Sequence, residues 1–359
     1  MQYNKQLYPL KIKNDFLFNP TPRDFIVDEV PLYDFVGEGE HLILHIRKKD
    51  MTTWEMIGAI ARYLDIKIKD IGYAGLKDKN AMTMQYISLL AKGNEERLQN
   101  FSHDKIKILS MQRHNNKIRV GHLKGNRFKI RLKKVLGVQK DKLDSTLKWI
   151  KKNGVPNYFG NQRFGNSGNN WQEGKDIIDG KLKMRNRKTK TFLLNAYQSY
   201  LFNAWLSKRI ELSILLESFS EDEVASLLKL PLGTLNGIKK QHQFFKLLEG
   251  DLMMHYPFGR VFELESLEDE AQRFRDRDIS PTGLLAGKRV SRATKKAEVI
   301  ESIYDKEIGE NGARRYAWIF VDNIEGKYIE EKAHYELSFF LPKGSYATNV
   351  LDVLRGGVI

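Results

Sequence analysis

Two kinds of periodic pattern in the sequence predict an α+β fold. Residues 41–47 (HLILHIR) alternate and contain β-branched side chains, as strands do. Thr52 and Glu55 then form a capping-box pattern before apolar residues at helical spacing, which indicates a helix. Alternation returns over residues 105–135, where consecutive strands are expected. Strands and helices therefore share the first half of the chain.

The first half is expected to contain the following elements in order. Residues 25–27 are extended, residues 37–39 form a turn, and an apolar strand covers residues 85–90. The helix after Thr52 is predicted to bury Ile57, Ile60, Ala61 and Leu64. Apolar residues alternate with lysine and arginine at Ile106, Ile108, Ile118, Val120, Phe128, Ile130 and Leu132. In an antiparallel sheet this gives one apolar and one basic face.

The pair Gly125-Asn126 lies between the alternating residues that end at Val120 and those that begin at Phe128, and it is interpreted as a turn or a bulge. Helices are predicted over residues 140–152, 191–210, 294–310 and 346–354, and a strand over residues 334–341. The helix at 191–210 presents Leu193, Ala196, Tyr197, Tyr200, Leu201, Ala204 and Trp205 on one face. We interpret that face as core rather than as an RNA-stacking surface.

Composition limits the class of protein. At roughly 100–200 residues per domain, 359 residues predict two or three domains. The absence of cysteine excludes disulfides, thiolate catalysis and cysteine-ligated metal sites, and fits a reducing compartment. We see no apolar signal segment near the N-terminus and no long apolar run, so we expect a cytoplasmic protein without a membrane helix.

Charge is segregated along the chain. The net charge is +15, and residues 102–152 hold sixteen lysines and arginines but only three acidic residues. Residues 181–190 add six bases and no acid. Such clustering favours a polyanionic partner such as RNA, whereas scattered solvated lysines are the alternative.

The stretch most suggestive of chemistry is GYAGLKDKNAMTMQ, residues 72–85. It connects two apolar segments and presents Asp78 between Lys77 and Lys79, near Gly72 and Gly75. Glycine permits tight backbone conformations, and flanking cations favour an ionised carboxylate. A nucleophilic or charge-stabilising aspartate needs both features. Taken alone, the same stretch also suits an ordinary solvated turn.

This stretch resembles the catalytic motif of the tRNA pseudouridine synthase D (TruD) family. Residues 154–165 (GVPNYFGNQRFG) and 341–348 (LPKGSYAT) resemble two further family motifs, in the same order and at similar spacing. The resemblance covers nearly the whole chain. It implies a pseudouridine synthase core with a mixed, mostly antiparallel sheet, and an inserted α/β TRUD domain.

The resemblance also implies roles for individual residues. Asp78 is the catalytic carboxylate, and it acts either by attacking the uracil ring or by promoting deprotonation at the ribose. Substrate-binding residues are Phe25, Asn126, Phe128 and Tyr346; without the resemblance, the phenylalanines would be read as core residues and Asn126 as a turn residue. Many relatives carry a basic residue where this chain has Asn19, so the cationic partner of Asp78 is sought among Lys77, Lys79 and Arg23.

The family further implies a domain arrangement and a reaction. Residues 1–153 and 320–359 would form the catalytic core, and residues 154–319 the inserted domain. The implied activity is isomerisation of a tRNA uridine, at position 13 in the family, to pseudouridine, with no cofactor and no metal. The alternatives are a synthase acting on another RNA and a non-catalytic RNA-binding or chaperone protein. The expected partner is tRNA, with no membrane and no nucleotide cofactor.

Overall fold

The computed structural model describes residues 6–10, 12–165 and 167–357. They form two compact units. The sheet unit comprises Asp15–Leu147 and Val321–Ser345. The long-helix unit comprises Lys148–Phe320, the described residues before Asp15 and those from Tyr346 onward. This grouping places both chain ends with Lys148–Phe320, whereas the sequence-based division assigns them to the core; the functional division itself stays a prediction.

The strands, in chain order, are β1 Phe25–Pro31, β2 His41–Lys49, β3 Gly72–Tyr73, β4 Met82–Leu90, β5 Ile106–His114, β6 Leu123–Lys133, β7 Val155–Pro156, β8 Leu252–His255, β9 Val261–Glu263, β10 Ile279–Leu285, β11 Ala313–Tyr316, β12 Trp318–Ile319, β13 Asp322–Ile329 and β14 His334–Pro342. The helices are α1 Thr53–Leu64, α2 Asn94–Gln99, α3 Gly137–Asn153, α4 Asn170–Ile178, α5 Arg187–Ser218, α6 Glu221–Leu227, α7 Leu267–Arg275, α8 Lys295–Glu301 and α9 Ala347–Arg355. No helix among the described residues is long and apolar enough to cross a membrane.

The sheet unit is built on one eight-stranded sheet. Its strand order is β13-β14-β6-β1-β4-β2-β5, and β3 pairs with β4. The pair β1–β4 is parallel, and the other pairs are antiparallel. The sheet is therefore mixed and mostly antiparallel, as predicted.

Helix α1 packs on one face of this sheet, near β2. We call this face, which carries Leu42, Leu44 and Ile46, the inner face. Its capping box forms as predicted, with Glu55 N donating to Thr52 Oγ1 over 3.1 Å and Thr52 N to Glu55 Oε2 over 2.6 Å. The four residues predicted to be buried are buried, and they pack with Leu42, Leu44 and Ile46 of β2. Each such side chain stabilises the fold by about 1.5–3 kcal/mol through burial.

The first part of α3 contacts the β13–β14 end of the same sheet. Asp144 accepts a hydrogen bond from the Tyr335 hydroxyl, and Leu147 packs over Gly326, where a Cβ would lie 2.6 Å from its Cδ1. Tyr335 pairs with Leu132, which is buried on the face that also carries Phe128. Helix α3 therefore packs near one edge of the sheet and α1 near the other. The inner-face side chains of β6, β1 and β4 lie between these two helices.

One detail of the predicted β region is wrong, and a second is correct only in part. Val120 is 73% exposed, because residues 115–122 form a loop between β5 and β6. Gly125 and Asn126 lie within β6 and do not form a turn, but a bulge lies directly beside Gly125: Val30 pairs with Gly125 and Pro31 with Leu123, which leaves Lys124 as the extra residue. Gly125 is needed for close approach of β14, since a Cβ there would lie 2.1 Å from Leu341 O.

The long-helix unit surrounds α5, which is longer than the predicted 191–210. Six of its seven predicted core residues are buried, and Tyr200, which is half-buried, stacks on Trp171 at 3.9 Å. Arg209 forms a buried bidentate ion pair with Asp251 at 2.7 and 2.8 Å. A four-stranded antiparallel sheet, β11-β10-β8-β9, and the pair β12-β7 complete the unit.

The helix predicted at 294–310 is shorter than expected. Helix α8 spans Lys295–Glu301 and continues only as a 3₁₀ turn, Ser302–Tyr304. Asp305 then pairs with Arg292 at 2.5 Å, which turns the chain back toward β11.

Candidate active site

Asp78 lies in the short connection between β3 and β4, where its side chain is exposed. Hydrogen bonds from neighbouring elements hold the backbone of this connection at two consecutive residues. The backbone N–H of Lys77 donates to Thr53 Oγ1 over 2.9 Å, and the backbone carbonyl of Asp78 accepts from Lys48 Nζ over 2.9 Å. Thr53 Oγ1 in turn donates to Gln85 Oε1 over 3.0 Å. The backbone that carries Asp78 is therefore anchored to α1, β2 and β4.

Lys48 is the main site residue that sequence reasoning missed. It is fully buried, and its ammonium group also donates to Met51 O over 2.7 Å. Burial lowers the pKa of Lys48 to about 8, while the negative charge of Asp78 acts in the opposite direction. The available signal was the alternation of β2, in which Lys48 follows Leu42, Leu44 and Ile46 at inward positions.

Two of the three predicted cationic partners of Asp78 are paired with glutamates. Lys77 forms a buried ion pair with Glu29, and Glu29 Oε1 also accepts the Tyr86 N–H over 3.1 Å. Lys79 lies 3.7 Å from Glu55, and both side chains are more than half exposed, so this pair adds little stability. Arg23 is exposed and forms no ion pair with another described residue. The partner of Asp78 stays a prediction, with buried Lys48 as an additional charge near it.

The predicted aromatic contacts of the sheet unit come together on its inner face. The rings of Phe25 and Phe128 are 6.2 Å apart and inclined by 9°, and Phe128 also stacks on Phe339 at 5.3 Å. Phe18 meets Phe25 edge-on at 5.8 Å. Phe128 is 6% exposed and Phe25 is 9% exposed. These rings form one apolar cluster, here called the aromatic surface, in which Phe25 and Phe128 are largely buried.

Strand register connects this aromatic surface to the anchor of the Asp78 loop. Phe128 pairs with Val27, Val27 with Thr83, and Thr83 with Lys48. The four residues therefore lie on one line across β6, β1, β4 and β2. At about 4.8 Å between strands, Phe128 and Lys48 are about 14 Å apart along that line.

Asn126 occupies the next line on the same face, directly opposite Glu29. Its Oδ1 is buried without a hydrogen-bond partner among the described residues, as are Thr83 Oγ1 and Gln85 Nε2. Unsatisfied buried polar atoms are rare in folded proteins. These three atoms lie on the face of the sheet that carries Phe128, on β6 and β4.

Tyr346 belongs to the long-helix unit, where it precedes α9 and is 40% exposed. The guanidinium of Arg315 lies 5.7 Å from its ring and 4.0 Å from the ring of Phe159. Arg315 donates to Asn157 Oδ1 over 2.9 Å, and burial lowers the pKa of Arg315 to about 10. The second and third sequence motifs therefore meet around this arginine.

Comparison with known proteins identifies the family of the chain. The family model described as tRNA pseudouridine synthase D (TruD) matches residues 17–187 and 182–353. Proteins of that name from Nitratiruptor sp. and Sulfurimonas denitrificans are 55% and 53% identical to this chain, with 94% of each sequence covered in both cases. The relative from Wolinella succinogenes is 49% identical, with 95% of this chain and 94% of the relative covered.

A solved structure of a TruD protein from Methanosarcina mazei has the same fold. It superimposes with a TM-score of 0.73 at 22% identity, and the match covers 99% of this chain and 96% of that one. This confirms the predicted α+β fold. The chain belongs to the tRNA pseudouridine synthase D (TruD) family.

Proposed function

We propose that this protein isomerises a uridine of tRNA to pseudouridine, with Asp78 as the reacting carboxylate. Family membership supports the reaction. The observation that carries the assignment of Asp78 is its loop, whose backbone is held by Thr53 and Lys48 while the carboxylate is exposed. A preorganised charge needs no rearrangement when the substrate arrives.

The reaction exchanges one bond of the ribose for another. The bond from C1′ to uracil N1 breaks, the ring turns, and C1′ bonds to C5; C5 loses a proton and N1 gains one. Asp78 acts either as the nucleophile toward the ring or as the group that promotes deprotonation at the ribose. Both routes require a base extruded from its stack and an ionised carboxylate beside the sugar.

The detached ring has to be held while it turns. Phe25 and Phe128, whose rings stack on each other and are largely buried, are the proposed apolar contacts of the base. The unpaired Oδ1 of Asn126 is suited to accept the N3–H of uracil. Tyr346 is the fourth proposed contact, and its hydroxyl suits a solvated pocket entrance better than a dry interior.

The proposed substrate is tRNA with its target at position 13, in the cytoplasm. Residues 102–152, with sixteen bases against three acids, supply a surplus of positive charge for the phosphate backbone. The shortage of acids in that segment makes attraction of a polyanion its dominant electrostatic property.

Tritium release from tRNA labelled with [5-³H]uridine tests this proposal, because isomerisation removes the C5 hydrogen. We expect release by the wild-type protein, no measurable release by Asp78→Asn, and wild-type release by Asp70→Asn, a matched change at an exposed aspartate. Folding and tRNA affinity of Asp78→Asn should stay near wild type. Substantial turnover by pure Asp78→Asn would reject Asp78 as the reacting group.

The same assay separates the alternatives. Release from a ribosomal RNA transcript but not from tRNA would change the substrate class. A wild-type protein that binds tRNA tightly and releases no tritium would be an RNA-binding protein without this activity.

A further inference from the structure

A cavity of about 420 Å³ lies in the sheet unit beyond the C-terminal end of β1. Its lining combines three rings, Tyr33, His114 and His122, with two basic side chains, Lys117 and Arg119. The reaction as proposed above uses none of these residues.

The rings of this cavity are packed against one another. Tyr33 and His114 lie 5.2 Å apart and are inclined by 22°, and His122 meets Tyr33 at 71°. The Tyr33 hydroxyl and His122 Nδ1 are 2.9 Å apart. Burial raises the pKa of Tyr33, and the charge of Arg119 opposes that shift, which puts the guanidinium within electrostatic reach of the ring. The aromatic part of the cavity is therefore formed before any ligand binds.

The two cations are available to an anion. Arg119 is exposed, and its guanidinium has no hydrogen bond or ion pair with another described residue; its backbone carbonyl accepts from His122 N over 3.0 Å. Lys117 Nζ donates to the neutral carbonyl of Lys69 over 2.8 Å, so its charge is not neutralised. Asp34 also lines the cavity, so two cations are opposed by one carboxylate. The charge balance inside the cavity therefore suits one singly charged group.

This cavity is linked to the segment that leads to Asp78. Gly121 N donates to Ala74 O over 2.8 Å, and Ile118 N donates to Ser88 Oγ over 2.8 Å. Gly72 leaves no room for a side chain, since a Cβ there would lie 2.2 Å from Ile118 O. Residues 115–122, which carry both cations, thus pack directly on β3, a few residues before the catalytic loop.

We propose that this cavity binds one nucleotide of the RNA next to the target uridine, with its phosphate on Arg119 and Lys117 and its base against Tyr33 and His122. The inference rests on the proposed function for the identity of the RNA. Stacked rings beside cations are what proteins use to hold single-stranded nucleotides, and each phosphodiester carries a single charge. Asp34 and Asn116 are placed to hydrogen-bond a base edge or ribose hydroxyls.

Affinity for a tRNA transcript, measured as a function of salt in the Asp78→Asn background, tests the cavity without any chemistry. We expect Arg119→Gln to raise Kd about tenfold and to reduce the log–log salt slope by about 0.7–0.9, as loss of one phosphate contact does. Tyr33→Leu should raise Kd about 5- to 100-fold through lost stacking, while Tyr33→Phe keeps most of the affinity. Lys92→Gln, at an exposed lysine outside the cavity, is the matched control and should change neither quantity measurably.

In the active protein, Arg119→Gln should raise KM for tRNA about tenfold and alter kcat less than threefold. Wild-type Kd and salt slope in Arg119→Gln, with an unchanged melting temperature, would overturn the proposal even if Tyr33→Leu fails to fold. So would UMP or GMP binding that depends on Arg119 while tRNA binding does not, because the cavity would then be a mononucleotide site. If the wild type binds tRNA but releases no tritium, the proposed function fails and the affinity comparison still decides the cavity.

Discussion

The ammonium group of Lys48 donates a hydrogen bond to the backbone carbonyl of Asp78, over 2.9 Å. The two residues are thirty positions apart, and they come together because β2 and β4 are antiparallel neighbours in which Lys48 pairs with Thr83. Lys48 is fully buried and Asp78 is exposed. The lysine therefore holds the loop that carries Asp78 from inside the protein and has no access to phosphates.

Lys48→Met should lower turnover at least tenfold and leave tRNA affinity within about twofold. Methionine fills a similar volume, but it donates no hydrogen bond to Asp78 O or Met51 O, so the loop loses its anchor. Tritium release under single-turnover conditions measures the effect. Lys49→Met, at the exposed neighbouring residue, removes the same charge and should retain wild-type turnover. Equal loss in both variants would mean that net charge, not loop anchoring, matters.

Lys48 should also give stability a distinct pH dependence. Its pKa is about 8 when folded and 10.5 in the unfolded chain, so between these values the unfolded chain binds more protons. The free energy of unfolding should then rise with pH by up to about 1.4 kcal/mol per unit in this window, relative to Lys48→Met. Urea unfolding of both proteins from pH 7 to 10.5 measures the difference. Parallel pH profiles would show that Lys48 has an ordinary pKa.

Glu29→Gln should destabilise the protein by about 3–5 kcal/mol, because it leaves the buried ammonium of Lys77 without its counter-charge. The double variant Glu29→Gln/Lys77→Met removes both charges and should recover most of that loss. Thermal unfolding measures both. If the double variant is stable but turns over at least tenfold more slowly than wild type, the pair positions the loop. Full activity in the double variant would limit the pair to a structural role.

How much of this site the sequence predicted depends on what each pattern encodes. The capping box and the spacing of Ile57, Ile60, Ala61 and Leu64 are local, so α1 was predicted correctly. The contact between Lys48 and Asp78 depends on strand pairing over thirty residues, and no local pattern encodes it. The pairing of Lys77 with Glu29 is likewise non-local, since it requires β1 to lie beside β4.

A glycine in the sequence does not by itself show whether the chain turns there, for a physical reason. Glycine in a turn and glycine at a close backbone approach look the same in sequence. Gly125 serves the second purpose, because β14 passes over it at Leu341 O. The sequence pattern of Gly125-Asn126 therefore suggests a turn or a bulge, although Asn126 lies inside β6, on the same face as Phe128.

Phe128→Leu should cut turnover at least tenfold while changing tRNA affinity less than threefold. Leucine largely conserves apolar volume, so the expected cost in stability is below about 1.5 kcal/mol, whereas Phe128→Ala would cost about 3–5 kcal/mol. Phe339→Leu, in the same stack, is the matched control and should retain turnover. Melting temperatures are compared with tritium release for each variant. A large fall in melting temperature with turnover preserved below it would make Phe128 a core residue only.

The two compact units make a prediction about how the chain can be divided. In the sheet unit β14 pairs with β6 along its whole length and β13 pairs with β14, so Val321–Ser345 completes the sheet of Asp15–Leu147. A protein in which a short Gly/Ser linker joins Leu147 to Val321, truncated to Asp15–Ser345, should therefore fold cooperatively. Leu147 packs over Gly326, five residues after Val321, so we expect a short linker to join the two ends.

Removing residues 154–319 alone, as the sequence-based domain boundaries suggest, should give a less stable product. It retains α9, whose Val350, Leu351, Val353 and Leu354 are buried within the long-helix unit and would be exposed. Exposed apolar side chains of this kind promote aggregation.

Urea unfolding and light scattering compare the stability and aggregation of the two proteins. Neither protein should release tritium, because both lack the basic run at 181–190 and one lacks Tyr346. If the 154–319 deletion is the more stable and the Asp15–Ser345 protein is unfolded, the residues before Asp15 and after Ser345 belong with the catalytic core, and the sheet unit is not a folding unit by itself.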